Sequence, residues 1–337
     1  MKNYEIIFSA PCEAEFLQTQ VTPPGVGQVQ VKISVSTISS GTERANLMGD
    51  PNVGWNIAPQ VKFPRKTGYS SAGIVTAVGE GVTDLKPGDR VALSWSMHRR
   101  YINMPRKNVF LLPESVSFRD AAMFHIGTFP LAAIRKCRLE LGESAVVMGL
   151  GVLGMVAVQL LKAAGAAPII AVDPVGEKRQ KALAWGADYA LDPMAEDFSQ
   201  QVKAITAGGA KVGIEVTGIG AGLDGILDCM APFGRVALLG CTRDKEFTID
   251  YYRKVHGPGI TLIGAHTNAR PKEESHGGWW TQADDMQALI RLHALDRLHL
   301  GGLVEQVASP LEAPEIYNSL IREKNFPVVQ FDWEALT

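Results

Sequence analysis

The sequence predicts an α/β protein in two parts, an antiparallel β domain with a barrel-like core and a doubly wound parallel sheet. Three observations predict it. Short strands separated by turn residues fill the first third of the chain, and from about residue 120 apolar runs alternate with helical patterns. A glycine-rich turn, Gly149-x-Gly151-x-x-Gly154, stands where the first of those later runs passes into a helix. The length, 337 residues, accommodates two domains at roughly 150 residues each.

In the first third, VQVKISVSTI at 29–38 alternates apolar and polar side chains, as a half-buried strand should. SAGIVTAVG, DRVALSW and NVFLLP follow, divided by turn signals such as LKPGDR at 85–90. The alternating region then reads AVVMGL, the helix VLGMVAVQLLKAAG, the strand PIIAVD and the helix GEKRQKALAWG. After these come VGIEVTG, the helix AGLDGILDCMAPFG, RVALLG and the strand GITLIGAH. That rhythm is the βαβ signature of a parallel sheet. From Asn268 two amphipathic helices, TQADDMQALIRLHALDRL and EAPEIYNSLIREK, and a closing strand PVVQFDW make a tail too short to fold alone. The expected division is therefore 1–122 with 267–337, and 123–266.

Hydrophobic residues make up 46% and charged residues 20%, which suits a large packed core rather than disorder. Lys and Arg number 33 against 35 Asp and Glu, a net charge of −2 without long runs of one sign, which argues against nucleic-acid and membrane partners. Cys12, Cys137, Cys229 and Cys241 are scattered, so neither a disulfide framework nor a structural zinc site is expected. The N-terminus lacks a signal-peptide pattern and no apolar run is long enough to span a bilayer. A cytoplasmic protein acting on a small molecule is the expectation.

Each glycine of the 149–154 turn has a mechanical task. The first permits the tight turn, the second lets a pyrophosphate approach the backbone, and the third lets helix and strand pack closely. Val152 and Leu153 open the helix, whose N-terminal N–H groups face the phosphates. Asp173 ends the next strand about 20 residues on, where a carboxylate accepts from the adenosine ribose hydroxyls and repels a 2′-phosphate. The cofactor expected is NAD rather than NADP. Lys178 and Arg179 soften that preference; Arg179 is a cofactor candidate, with a solvated helix charge as the alternative. Ligands of such sheets sit at the carboxyl ends of strands, which adds Thr217, Gly218, Gly240, Cys241, Thr242, Ala265 and His266. Glu215, inside an apolar strand, reads as a buried and satisfied carboxylate.

The segments GYSSAGIVTAVGEGVTDLKPGDRVA and GLGVLGMVAVQLLKAAGA resemble the medium-chain dehydrogenase/reductase superfamily, and the resemblance covers essentially the whole chain. GTER and FDW are similar to a branch of sugar, polyol and bacteriochlorophyllide-type dehydrogenases. The resemblance implies a GroES-like β-barrel catalytic domain, a Rossmann domain, and a homodimer paired along an outer sheet strand, here GITLIGAH. Zinc-dependent members carry a Cys-x-Thr/Ser element, a Gly-His-Glu element and a third ligand before the dinucleotide domain. Matched residue by residue, these positions hold Ser40 with Thr42 and Glu43, then Gly68-Tyr69-Ser70, then His125. A serine hydroxyl and a phenol are poor Zn²⁺ ligands beside thiolate and imidazole, so the metal is expected to be lost.

Without a metal, side chains must hold the reacting oxygen and move its proton. His125 or Tyr69 is the expected contact, with Thr42 and Glu43 as a relay or orienting network; core packing and an ion pair to Arg44 are the alternatives. His98 borders that site. A second polar cluster, GAHTNARPKEESHGGWW, offers Asn268, Arg270 and His276 beside Trp279 and Trp280, and Trp55 could belong to a lid. Ser40, Trp55, His98, Asn268 and Arg270 are the substrate candidates. The expected reaction is reversible oxidation of a secondary alcohol of a sugar, polyol or related cyclic compound. A zinc-free quinone or activated double-bond reductase, and a cofactor-binding protein without catalysis, are the competing readings.

Overall fold

The computed structural model describes residues 2–50, 61–242 and 246–336. Trp55 lies outside them. The chain divides into two compact units, residues 1–126 with 286–337, and residues 127–285.

The first unit opens with strands β1 (Lys2–Ala10), β2 (Glu13–Gln20) and β3 (Gln28–Thr37), and a helix α1 (Ser40–Met48) that Gly49 ends in a left-handed conformation. Strands β4 (Arg65–Lys66), β5 (Ser70–Val78), β6 (Arg90–Ser94), β7 (Tyr101–Pro105) and β8 (Val109–Leu111) follow. Helix α2 (Phe118–Lys136) begins in this unit and runs on into the second.

The second unit then alternates as the sequence predicts. It comprises β9 (Ala145–Met148), α3 (Val152–Ala164), β10 (Ile169–Val172), α4 (Gly176–Ala184), β11 (Tyr189–Leu191), α5 (Phe198–Ile205), β12 (Ala210–Glu215), α6 (Gly220–Asp228), β13 (Met230–Leu238) and β14 (Thr261–Gly264). All strands are parallel, in the order β11-β10-β9-β12-β13-β14. The order reverses between β9 and β12, and that switch point is where a doubly wound sheet opens its ligand crevice. The near-continuous apolar runs AVVM and IIAV are fully buried, as strands covered by helices on both faces must be. The expected helix AGLDGILDCMAPFG is shorter than its pattern: it stops at Asp228, and Met230 already belongs to β13.

The tail consists of α7 (Gln282–Ala294), β15 (Gln306–Ala308), α8 (Ala313–Arg322) and β16 (Val329–Asp332). In the first unit, β16 pairs antiparallel with β3, so the closing strand completes the sheet begun near the N-terminus. The pairing path β15-β16-β3-β5-β6-β8, with β7 also on β3, is open rather than a closed barrel. A second sheet runs β2-β1-β4. Ile33, Leu93, Phe8, Tyr317, Phe331 and Trp333 share one buried core, which is why the tail cannot be separated from the β domain. The segment 267–285, expected with that domain, is held in the second unit, where Arg270 and Arg135 both reach Asp285.

Candidate active site

The turn after β9 shows the glycine mechanics directly. Gly149 has φ +99°, a left-handed value that suits glycine. A Cβ on Gly154 would lie 1.9 Å from the Gly149 carbonyl oxygen, so only glycine lets α3 close onto the turn. A Cβ on Gly151, by contrast, would meet nothing within 4 Å. The space above Gly151 is open, it precedes the first turn of α3, and it fits a pyrophosphate held by helix N–H groups. Val152 is buried against the fold while Leu153 is partly exposed.

Asp173 is 7% exposed at the end of β10 and ties the turn together. Its Oδ2 accepts from the Leu150 N–H at 2.9 Å, and its Oδ1 accepts from the Val175 N–H at 2.9 Å. A carboxylate has about four acceptor positions, so two are left for ribose hydroxyls. Arg179 turns inward instead of toward a ligand: its guanidinium donates to the carbonyls of Asp173 (2.7 Å) and Pro174 (3.0 Å) and pairs with Asp192. These partners make it a brace for the end of β10.

The ends of β12, β13 and β14 interlock beside this turn. Glu215 accepts from the N–H and hydroxyl of Thr217 and from the N–H of Gly218 at 3.2 Å, the buried and satisfied carboxylate the sequence suggests. Burial holds its carboxyl above the usual range against those bonds. Gly240 approaches so closely that a Cβ would fall 2.3 Å from the Gly218 nitrogen. Ala265 continues from β14 and donates its N–H to the Leu238 carbonyl at 3.1 Å. Cys241 and Thr242 follow Gly240, and His266 Nδ1 accepts from the Asn268 N–H at 3.2 Å. Gly149, Thr217, Gly218, Gly240 and Ala265 thus follow the carboxyl ends of their strands, where doubly wound sheets take ligands.

In the first unit, Gly68 (φ +85°) lies so near His98 that a Cβ would meet the His98 nitrogen at 2.6 Å; this contact sets the entry to Tyr69. The Tyr69 hydroxyl donates to Ser39 Oγ and stands beside the Thr42 hydroxyl. Burial raises this phenol well above its ordinary value; the Ser39 and Thr42 bonds oppose the rise and the Glu43 charge adds to it. His125, on α2, is fully buried. Its ring packs edge-on against Tyr69 (centroids 5.5 Å apart) and Trp95 (4.7 Å).

Glu43 lies beneath this cluster and is 2% exposed. It accepts from Ser39 N–H (2.8 Å), Thr67 Oγ (3.0 Å) and the Tyr317 hydroxyl, and pairs with His98 Nε2 at 3.1 Å. His98 Nδ1 is 2.7 Å from Ser36 Oγ, which also accepts from the Trp333 indole. Glu43 is therefore an anchor for α1 rather than a relay member, and its ion pair is with His98, not Arg44. His98 is fully buried among these partners, which removes it from the substrate candidates.

Comparison with known proteins identifies the family. Residues 152–277 match the family described as zinc-binding dehydrogenase, and residues 25–114 the alcohol dehydrogenase GroES-like domain. L-threonine 3-dehydrogenase of Thermococcus kodakarensis is 31% identical over 273 residues, 71% of this chain and 75% of that protein. The chain belongs to the medium-chain dehydrogenase/reductase superfamily. It is thereby an NAD(P)-dependent oxidoreductase of the CH–OH class. D-guloside 3-dehydrogenase of Escherichia coli (strain K12) is 24% identical over 332 residues, 93% of this chain and 94% of that one. A crystal structure described as a short chain alcohol dehydrogenase of E. coli CFT073, complexed with NADH, matches with a TM-score of 0.82 at 18% identity. It covers 98% of this chain and 99% of its own, a likeness of fold.

The resemblance implies Ser40, Tyr69 and His125 at the positions of the zinc ligands. No group of three His, Cys, Asp or Glu side chains suited to a metal occurs among the described residues. The phenol's partner is Ser39, one residue before the aligned Ser40, because Ser39 precedes α1 and Ser40 is its first residue. Sequence reading missed Ser39, Trp95, Tyr317 and Thr67. Trp95 has φ +58° and is 41% exposed, unusual for a non-glycine aromatic, and no local pattern announces that conformation. Of the remaining candidates, Asn268 is exposed and Arg270 is engaged with Asp285.

Proposed function

We propose that this medium-chain dehydrogenase/reductase is an NAD(H)-dependent, zinc-independent dehydrogenase of a secondary alcohol on a sugar, polyol or related cyclic compound. The observation that carries the reading is the Tyr69 phenol, hydrogen-bonded to Ser39 and set against the His125 ring, with burial favouring its protonated form; the resemblance implies zinc-ligand positions for Tyr69 and His125. A phenol that keeps its proton offers no anionic donor to Zn²⁺, and a hydroxyl beside one imidazole does not complete a tetrahedral set. The donor set does not fit the metal, so no step is assigned to one.

Bound nicotinamide supplies or accepts the hydride. Tyr69 does the rest of the chemistry from the catalytic unit: it donates its proton to the carbonyl oxygen in reduction and takes it back in oxidation, with Ser39 and Thr42 as hydrogen-bond partners. The exposed Trp95 ring beside it supplies an apolar face suited to a sugar ring's C–H side. Asp173 favours NAD because a 2′-phosphate beside its carboxylate would be repelled. The name of the E. coli relative, a guloside dehydrogenase, supports a sugar-like substrate. The exposed edge strand β14 supports a homodimer.

Fluorescence titration with NADH and NADPH, with metal analysis of the purified protein, tests the reading. The expected result is NADH binding at least ~10-fold tighter, a difference of about 1.4 kcal/mol, and no stoichiometric zinc. Preferred NADPH binding or one tightly held zinc per chain would overturn it.

A further inference from the structure

We propose that the cofactor unit carries a subsite for an oxyanion, a carboxylate or phosphate group borne by the substrate, formed by Arg270, Arg135 and Lys136. This deepens the dehydrogenase reading and rests on it.

The cluster holds more positive charge than it answers. Asp285, fully buried, gives one oxygen to Arg135 Nε at 2.9 Å and the other to Arg270 at 3.4 Å. Its neighbour Asp284 is turned instead to the hydroxyls of Ser275 and Thr281. Lys136 completes the set, its Nζ donating to the Gly264 carbonyl at 3.1 Å. Burial, and after it the Arg270 charge, push the Lys136 ammonium down to about 8, so the two cations lie close enough to oppose each other. Three cations thus stand against two carboxylates, Asp285 and, within reach of its charge, Asp284.

Arg270 is the loosely held member. Its side chain is 7% exposed, yet its two contacts, to Asp285 and to the Thr128 carbonyl, are both long at 3.4 Å. Its Nε–H is buried and meets no acceptor among the described residues. A buried donor without an acceptor is unfavourable, and an incoming oxygen would satisfy it. A guanidinium offers paired donors that match a carboxylate or phosphate in a bidentate fork. The other two cations are fixed by aromatic rings, Arg135 3.5 Å from the Trp280 centroid and Lys136 4.7 Å from that of Trp279. The Gly264 carbonyl places the cluster beside the carboxyl end of β14, the edge of the sheet that takes ligands.

The test titrates the full chain, saturated with NADH, with inorganic phosphate and separately with malonate, by calorimetry at constant ionic strength. At least one anion is expected to bind, and the tighter arm names the group the substrate carries. Arg270→Gln is expected to weaken that binding at least ~10-fold; Arg270→Lys, which keeps the charge but loses the fork, should fall between. Lys107→Gln, an exposed charge in the other unit, should leave anion binding as it is. NADH titration of each variant reports whether the cofactor unit is folded. The inference is overturned if neither anion binds, if Arg270→Gln binds them as wild type does, or if they bind only without NADH. NADH binding with no anion binding removes this inference alone; no NADH binding removes the dehydrogenase reading as well.

Discussion

Glu43 carries its charge in the core because four donors meet it there. Burial pushes its carboxyl upward, but the His98 charge and the hydrogen bonds from His98, Tyr317 and the Ser39 N–H outweigh it and hold the group below the ordinary carboxylate value. A lowered native pKa means stability that is present above the ordinary carboxylate range and is lost as pH falls through and below it. Glu43→Gln removes the charge opposite His98 and should cost about 3 kcal/mol, as breaking a buried pair does, read as a lower denaturant midpoint at neutral pH. An unchanged midpoint would mean the pair contributes nothing. Tyr69 makes a kinetic prediction. Tyr69→Phe should lower kcat ~100-fold, the low end for a lost general acid, while NADH affinity stays. Because the phenol is raised, carbonyl reduction by the wild type should not decline with an apparent pKa at or below about 10, where an unperturbed tyrosine deprotonates. A decline there would show that Tyr69 is not the proton donor.

At the scale of elements, the glycine turn separates folding from binding. Gly154→Ala drives a methyl into the Gly149 carbonyl and should lower both the melting temperature and NADH affinity. Gly151→Ala meets open space at an ordinary negative φ, so the fold should keep its melting temperature while NADH binding weakens at least ~10-fold. Equal loss of stability in both variants would deny Gly151 its place under the pyrophosphate. This turn was legible in the sequence because everything that defines it lies within six residues, and Asp173 is one strand further on. The rest of the site was not legible for the opposite reason. Glu43 meets Tyr317 from 274 positions away, and Ser36 meets Trp333 across 297, contacts that no local period encodes. Short elements failed similarly: β11 has three residues and α5 eight, too few to stand out from the loops around them. The shared edge MAPFG reads as helix because Met230 and Ala231 have no strand bias of their own; pairing with β12 decides it.

For the molecule as a whole, the six-stranded sheet ends on β14, which among the described residues pairs with β13 alone. Its outer side is a row of backbone donors and acceptors, of which the Gly264 carbonyl meets Lys136, and Thr261, Leu262 and Gly264 are exposed along it. Proteins blunt such edges with charge, proline, bulges or a covering element, and TLIG carries neither charge nor proline. A two-fold partner would add its own β14 antiparallel to this one and bury the same residues on both copies, the self-complementary contact of a C2 dimer. Light scattering on the purified chain should then give twice the 36.4 kDa of a single copy. Leu262→Pro removes one edge donor and an exposed side chain without touching Ser39, Tyr69 or Gly151, and should shift the population to single copies while NADH still binds. A wild-type mass of one copy, or a Leu262→Pro variant that stays paired, would assign the edge to some other cover.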